Sequence, residues 1–137
     1  MHNANLRAIK MNNIETLRWN EDHFEMIDQR ILPSDFKYIS YTSAEQVAKG
    51  IRSMVVRGAP AIGCAAAYGA AIEAIRLQDK SLNEFNKGME KAFEVLAQSR
   101  PTAVNLFWAI NRMKKLKKLL KLSQNKSPKY CLMRHII

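Results

Sequence analysis

Two short stretches carry side chains suited to holding an anion. The first opens V-V-R-G-A-P-A-I-G, Val55 to Gly63. Arg57 supplies a planar guanidinium fork that matches phosphate or carboxylate. Gly58 has no side chain to obstruct a close approach by the backbone. Pro60 suits a first helical position and has no N–H to leave unpaired. It also pushes Ala59 towards an extended conformation, so the sequence predicts a helix from Pro60. A helix start leaves unpaired N–H groups and a partial positive charge, and both favour an anion. Ser99-Arg100-Pro101-Thr102 repeats the arrangement, with a second proline placed to open a helix. Two such starts, each behind an arginine, could meet on one phosphate. The competing reading is a pair of helix–helix turns with solvated arginines, and residue types alone do not separate the two.

The elements that must position these stretches can be read from periodicity. From Ala61 to Ile72 every side chain is apolar or small, and Glu73 is the first charge. A helix apolar on all sides is a buried one. Gly63 and Gly69 within it each cost about 1 kcal/mol relative to alanine, so another backbone or a ligand is expected to come close. Cys64 reads as a small apolar filler of the same helix. Upstream, Ile14–Trp19 and His23–Asp28 flank the turn residues Asn20-Glu21-Asp22 as a hairpin. Phe36–Tyr41 offers a third strand with Phe36, Tyr38 and Ser40 on one face. Thr42 or Ser43 caps a helix bearing Val47, Ile51, Met54 and Val55, with Glu45 or Gln46 placed for a capping box. Ser81 with Glu84 starts an amphipathic helix whose stripe is Leu82, Phe85, Met89, Ala92, Phe93 and Leu96. The helix expected from Pro101 carries Val104, Phe107, Trp108 and Ile110. The fold class is α+β: a small antiparallel β-sheet followed by a bundle of about four helices. Trp19, Trp108, Tyr38, Tyr41 and Tyr68 read as core or rim packing, and spacing assigns no role to Asn105.

Composition narrows the partners. The 137 residues are 47% hydrophobic, enough for one domain with a core. A net charge of +10 would ordinarily point to nucleic acid or membrane. Its distribution points elsewhere: nine Lys or Arg and no acid follow from Arg112 onward, while 13 basic and 12 acidic residues precede it. The basicity belongs to the tail. Cys64 and Cys131 form no C-x-x-C, and His2, His23 and His135 add no ligand spacing, so neither metal nor cofactor is expected. The polar first residues lack the apolar core of a signal peptide. No run reaches the roughly 18 apolar residues of a membrane span. Cytoplasm is the expected location, with no nucleic acid and no membrane as partner.

With these residues in view, M-V-V-R-G-A-P-A-I-G-C-A-A-A-Y-G (Met54–Gly69) and R-P-T-A-V-N-L-F-W-A-I (Arg100–Ile110) resemble the paired signatures of the methylthioribose-1-phosphate isomerase family. That family shares a superfamily with the regulatory subunits of a eukaryotic initiation factor's nucleotide-exchange complex and with ribose-1,5-bisphosphate isomerase. The resemblance covers about Ile14 to Met113. It implies an aldose–ketose isomerase of L-methionine salvage, acting on a small-molecule sugar phosphate without cofactor or metal. It also implies full-length homodimers and a C-terminal Rossmann-like domain holding a catalytic cysteine and aspartate. Cys64 and Cys131 do not match that cysteine, and no aspartate here matches its partner. The carried-over residues are Arg57, Gly58, Ala59 and Arg100, the substrate-binding half of the site.

Three segments result: a loose arm over 1–13, the family's N-terminal domain over 14–113, and a basic divergent tail over 114–137. The abrupt change to lysine-rich sequence resembles a truncation or a reading-frame error, with the Rossmann-like domain absent. The chain alone is therefore expected to lack turnover. A non-catalytic module sensing a sugar phosphate or nucleotide is the alternative from the same superfamily. A basic adaptor, whose tail binds RNA or anionic lipid, is a third.

Overall fold

The computed structural model describes residues 14–122. Its sheet follows from alternation around a tight turn: β1 (Leu17–Asn20) and β2 (His23–Ile27) pair antiparallel across Glu21-Asp22, with Trp19 opposite Phe24. β3 (Tyr38–Tyr41) pairs antiparallel with β2, Phe24 opposite Tyr41 and Met26 opposite Ile39. Phe24, Met26 and Tyr41 are buried, with Leu17, Trp19 and Ile39 packed against them. Arg18, Glu25 and Ser40 share the other face, where Arg18 Nε donates to Glu25 at 2.5 Å. The strands are shorter than the sequence predicts. The residues between β2 and β3 are held instead by Asp28, whose buried carboxylate accepts from Arg30 Nε at 2.8 Å. The Arg30 guanidinium holds that carboxyl below the usual carboxylate range.

Four helices pack beside the sheet: α1 (Ala44–Arg52), α2 (Ala59–Arg76), α3 (Leu82–Ser99) and α4 (Val104–Leu122). Ser43 is the N-cap of α1 and Ser81 that of α3, where Ser81 and Glu84 form the reciprocal capping box the sequence predicts. α2 is the central element, buried from Ile62 through Ala74 on most sides. Both of its glycines mark close approaches: a Cβ on Gly69 would lie 3.0 Å from Val47 of α1 and 3.1 Å from Leu96 of α3. Glu73, a charge inside this buried helix, accepts from Ala44 N at 2.9 Å and pairs with Arg76. It thus satisfies a first-turn donor of α1 that no water reaches.

The apolar stripes differ from expectation at their ends. Leu82 is exposed, because the capping turn holds it outside the bundle; Met89, Ala92, Phe93 and Leu96 are buried as predicted. In α4 the buried residues are Leu106, Ala109, Ile110 and Met113, while Val104, Phe107 and Trp108 are exposed. Only one face of α4 meets α2, so the remaining apolar residues are turned outwards. The tail from Ser123 lies outside the described residues, as does the arm over 1–13.

Candidate functional site

The chain reaches Arg57 through a tightly determined turn. α1 ends with Val55 N donating to Gly50 O at 3.0 Å and Met54 N to Ile51 O at 3.2 Å. This is the Schellman pattern, with Met54 at φ 65°, a position more often held by glycine. Val55 and Val56 are buried, and Val55 O accepts from Gln29 N at 2.9 Å. Arg57, next in the chain, is exposed. Gly58 then adopts φ 91° and ψ 133°, a region other residues rarely enter. A Cβ there would meet nothing within 4 Å, so the demand for glycine is conformational and not steric. Ala59 begins α2 and Pro60 follows, one residue earlier than expected and within the play of any helix boundary. The first bond of the helix runs from Ile62 N to Gly58 O at 3.0 Å, which leaves the N–H groups of Ala59 and Ala61 ahead of it. No side chain caps this start, and its first turn has no acid.

The second stretch corrects the sequence reading. Arg100 is the C-cap of α3, and Ala103 N donates to Arg100 O at 3.1 Å, closing a turn over Pro101-Thr102. Pro101 therefore ends one helix instead of opening the next: it lacks the N–H that α3 would need to continue. α4 starts at Val104, with Ala103 O accepting from Leu106 N at 3.1 Å and Phe107 N at 3.4 Å. Alanine has no side-chain acceptor to cap such a start. Arg100 is half-buried and sits before the turn, not directly before the helix.

The two starts nonetheless lie side by side. A Cβ on Gly63 would fall 3.0 Å from the backbone oxygen of Asn105, so α2 and α4 touch backbone to backbone near their beginnings. None of the ion pairs among the described residues uses Arg57 or Arg100. From the crossing a groove of about 490 Å³ runs between the helices, with Pro60, Gly63 and Cys64 on one wall and Asn105, Trp108 and Arg112 on the other. Arg57, Gly58, Ala59 and Arg100 do not line it; it begins one residue beyond Ala59.

Three groove residues escaped the sequence reading. Cys64 is exposed, because it lies on the α2 face turned to the groove and not towards α1. Trp108 is 64% exposed and carries the Arg112 guanidinium 5.5 Å above its ring. The i, i+4 spacing of Val104, Trp108 and Arg112 was the available signal, since it places all three on one helix face. The other aromatics pack as expected: Tyr68 stacks on Phe24 at 4.8 Å and on Trp19 at 5.6 Å. Tyr41 is buried, which pushes its phenol up to about 12. Among the described residues no three His, Cys, Asp or Glu are grouped to hold a metal ion.

Residues 55–137 match the model of the Initiation factor 2 subunit family. The matched span includes both arginine stretches and runs on through the lysine-rich segment. A methylthioribose-1-phosphate isomerase of Albidiferax ferrireducens is 61% identical over 101 residues, which are 74% of this chain and 28% of that protein. The crystal structure of 5-methylthioribose 1-phosphate isomerase from Pyrococcus horikoshii is 45% identical, with a TM-score of 0.72 over 88% of this chain and 33% of that one. The delta subunit of translation initiation factor eIF-2B from A. fulgidus is 32% identical, with a TM-score of 0.78 over 90% of this chain and 36% of that one. The chain thus spans about a third of the length of the relatives it matches.

Proposed function

The chain belongs to the Initiation factor 2 subunit family, and from that premise we propose that it supplies the substrate-binding half of an S-methyl-5-thioribose-1-phosphate isomerase. The reaction is the aldose–ketose isomerisation to S-methyl-5-thioribulose 1-phosphate, a cytoplasmic step of L-methionine salvage. Arg57 and Arg100 hold the phosphate or neighbouring sugar oxygens, and Gly58 and Ala59 contribute backbone contacts. The observation that carries this reading is the meeting of two helix starts without a side-chain cap at Gly63 and Asn105, each with an arginine upstream that joins no ion pair among the described residues. Two sets of unspent N–H donors beside a guanidinium favour an anion with several oxygens.

Moving a proton between the sugar carbons needs a general acid and a general base. No residue of this chain is assigned either role. They belong to the C-terminal cysteine and aspartate that the family resemblance implies. The domain over 14–113, with α4 running on to Leu122, therefore binds, and the chain by itself does not turn over substrate. Calorimetric titration with S-methyl-5-thioribose 1-phosphate tests this: binding is expected, weakened about tenfold or more by Arg57→Ala or Arg100→Ala. Clear isomerisation by the 137-residue chain, or binding indifferent to both arginines, contradicts it.

A regulatory module that senses a sugar phosphate or nucleotide is the second reading. It is favoured by the backbone likeness to the initiation-factor subunit, at a TM-score of 0.78. Binding of a nucleoside phosphate in preference to the thioribose phosphate selects it.

A further inference from the structure

We propose that the outward face of α4 lies flat on an anionic phospholipid surface. Val104, Trp108 and Leu119 enter the headgroup layer, and Arg112, Lys115 and Lys118 meet its charge. This contact does not depend on the phosphate site. Among the described residues α4 is packed on two sides. Leu106, Ala109, Ile110 and Met113 are buried, and on the α3 side Lys117 Nζ donates to Glu90 Oε1 at 3.0 Å. At about 100° per residue, Val104, Trp108, Lys115 and Leu119 fall on a third side, within about 60° of one another. Val104 is 79% and Leu119 61% exposed, with the exposed Trp108 between them. The row is about 22 Å long at ~1.5 Å per residue. Arg112 and Lys118 border it, both exposed, and Arg112 lies over the Trp108 ring.

The charge on this face has one sign. α4 contains no acid, and the sequence from Arg112 to Ile137 contains none either. Arg112, Lys115 and Lys118 join no ion pair among the described residues. Large apolar side chains held in water among unpaired cations mark a contact surface. An anionic bilayer answers both halves. Apolar side chains sink to the acyl boundary while cations meet the headgroups, the stems of Lys and Arg lie along the apolar layer, and an indole settles at that depth.

Other occupants fit less well. A second copy docked face to face would set these cations against their own kind. A nucleic-acid strand could stack on Trp108, but Val104 and Leu119 offer a base no platform. A folded acidic partner would need a groove matched to a convex ridge, whereas lipid yields to it. No helix among the described residues is long and apolar enough to cross a membrane, so the contact is peripheral. It goes beyond the sequence expectation of no membrane partner, which assigned the basic residues to a tail; Arg112, Lys115 and Lys118 stand on a folded helix.

Cosedimentation of the 137-residue chain with vesicles tests the contact, using phosphatidylcholine alone and a two-to-one mixture of phosphatidylcholine with phosphatidylserine. Binding to the mixed vesicles is expected to be at least about tenfold tighter and to weaken as salt is raised. Lys115→Gln and Lys118→Gln should each cost about fivefold, the value of one cation near such a surface. Lys87→Gln and Lys91→Gln make the same charge change on α3 and should cost about twofold at most. Val104→Ser combined with Leu119→Ser keeps the charge and should weaken binding about tenfold. Brominated phosphatidylcholine in the mixed vesicles should quench tryptophan emission, and Trp108→Phe should remove that quenching. These side chains are exposed, so the melting midpoint should stay close to that of the unaltered chain. No vesicle binding, equal binding to both vesicles, or binding indifferent to the α4 variants overturns the proposal. So does a preference for polyuridylate over the mixed vesicles, which would assign the face to nucleic acid.

Discussion

The four helices begin in two different ways. α1 and α3 start on their own side chains: Gln46 N donates to Ser43 Oγ at 3.3 Å, and Glu84 N to Ser81 Oγ at 3.3 Å. Each has an acid in its first turn, and Glu73 adds a buried carboxylate at Ala44 N. α2 and α4 start on Gly58 and Ala103, with no acid in either first turn. At the capped starts a serine hydroxyl takes up a first-turn donor and an acid offsets the partial positive charge, which stabilises the fold and disfavours an anionic ligand. At the open starts both are kept. An open helix start alone signifies little; here two of them meet at Gly63 and Asn105, behind two arginines that join no ion pair among the described residues. The difference separates what holds the domain together from what it can hold.

That separation can be broken by substitution. Gly63→Val should have the largest effect, about 3 kcal/mol of lost stability in urea denaturation, because its side chain meets the Asn105 backbone, which cannot rotate away. It should also weaken phosphate binding by driving the open starts apart. Glu73→Ala comes next, at about 2 kcal/mol, by leaving Ala44 N–H buried and unpaired. Since it acts at a capped start, ligand affinity should not change. Arg57→Ala reverses the pattern: about tenfold weaker phosphate binding, with the melting midpoint moved little, because its side chain is exposed. Ser81→Ala should cost about 1 kcal/mol and leave binding untouched.

The smallest effect is a pH dependence from charged pairs in and beside the sheet. Hydrogen bonding to the Asp22 carboxylate raises His23 above its ordinary range. A raised folded value stabilises below the unfolded histidine value of about 6.5, and that contribution is lost as pH rises through the folded value. Asp28, held low by Arg30, acts in the opposite sense: its contribution is full above the ordinary carboxylate range and is lost as pH falls through the folded value. Denaturation midpoints followed across pH should show a small loss at the alkaline side that His23→Gln removes.

The capped starts were legible in the sequence because they are local. Ser81 with Glu84, and Ser43 with Gln46, announce themselves by residue type at fixed spacing. Gly63 was legible as well, since glycine in a buried helix is costly unless something comes close, and Asn105 does. The start of α4 was not. Pro101 has the chemistry of a first helical residue and equally that of a helix terminator, and only the turn from Arg100 to Ala103 decides between them. The faces of α4 were misjudged for a related reason: apolar residues occur on more than one side, and the sequence does not say which side α2 takes. Cys64 and Trp108 passed for core on those grounds, although both stand at the groove.

The most direct test is amide NMR of the chain titrated with S-methyl-5-thioribose 1-phosphate. The account predicts saturable shifts at Gly58, Ala59, Ala61, Val104 and Asn105, with the first-turn amides of α1 and α3 unmoved. Shifts of equal size at Glu45, Gln46, Asn83 and Glu84, or none at the open starts while the ligand binds elsewhere, would contradict it.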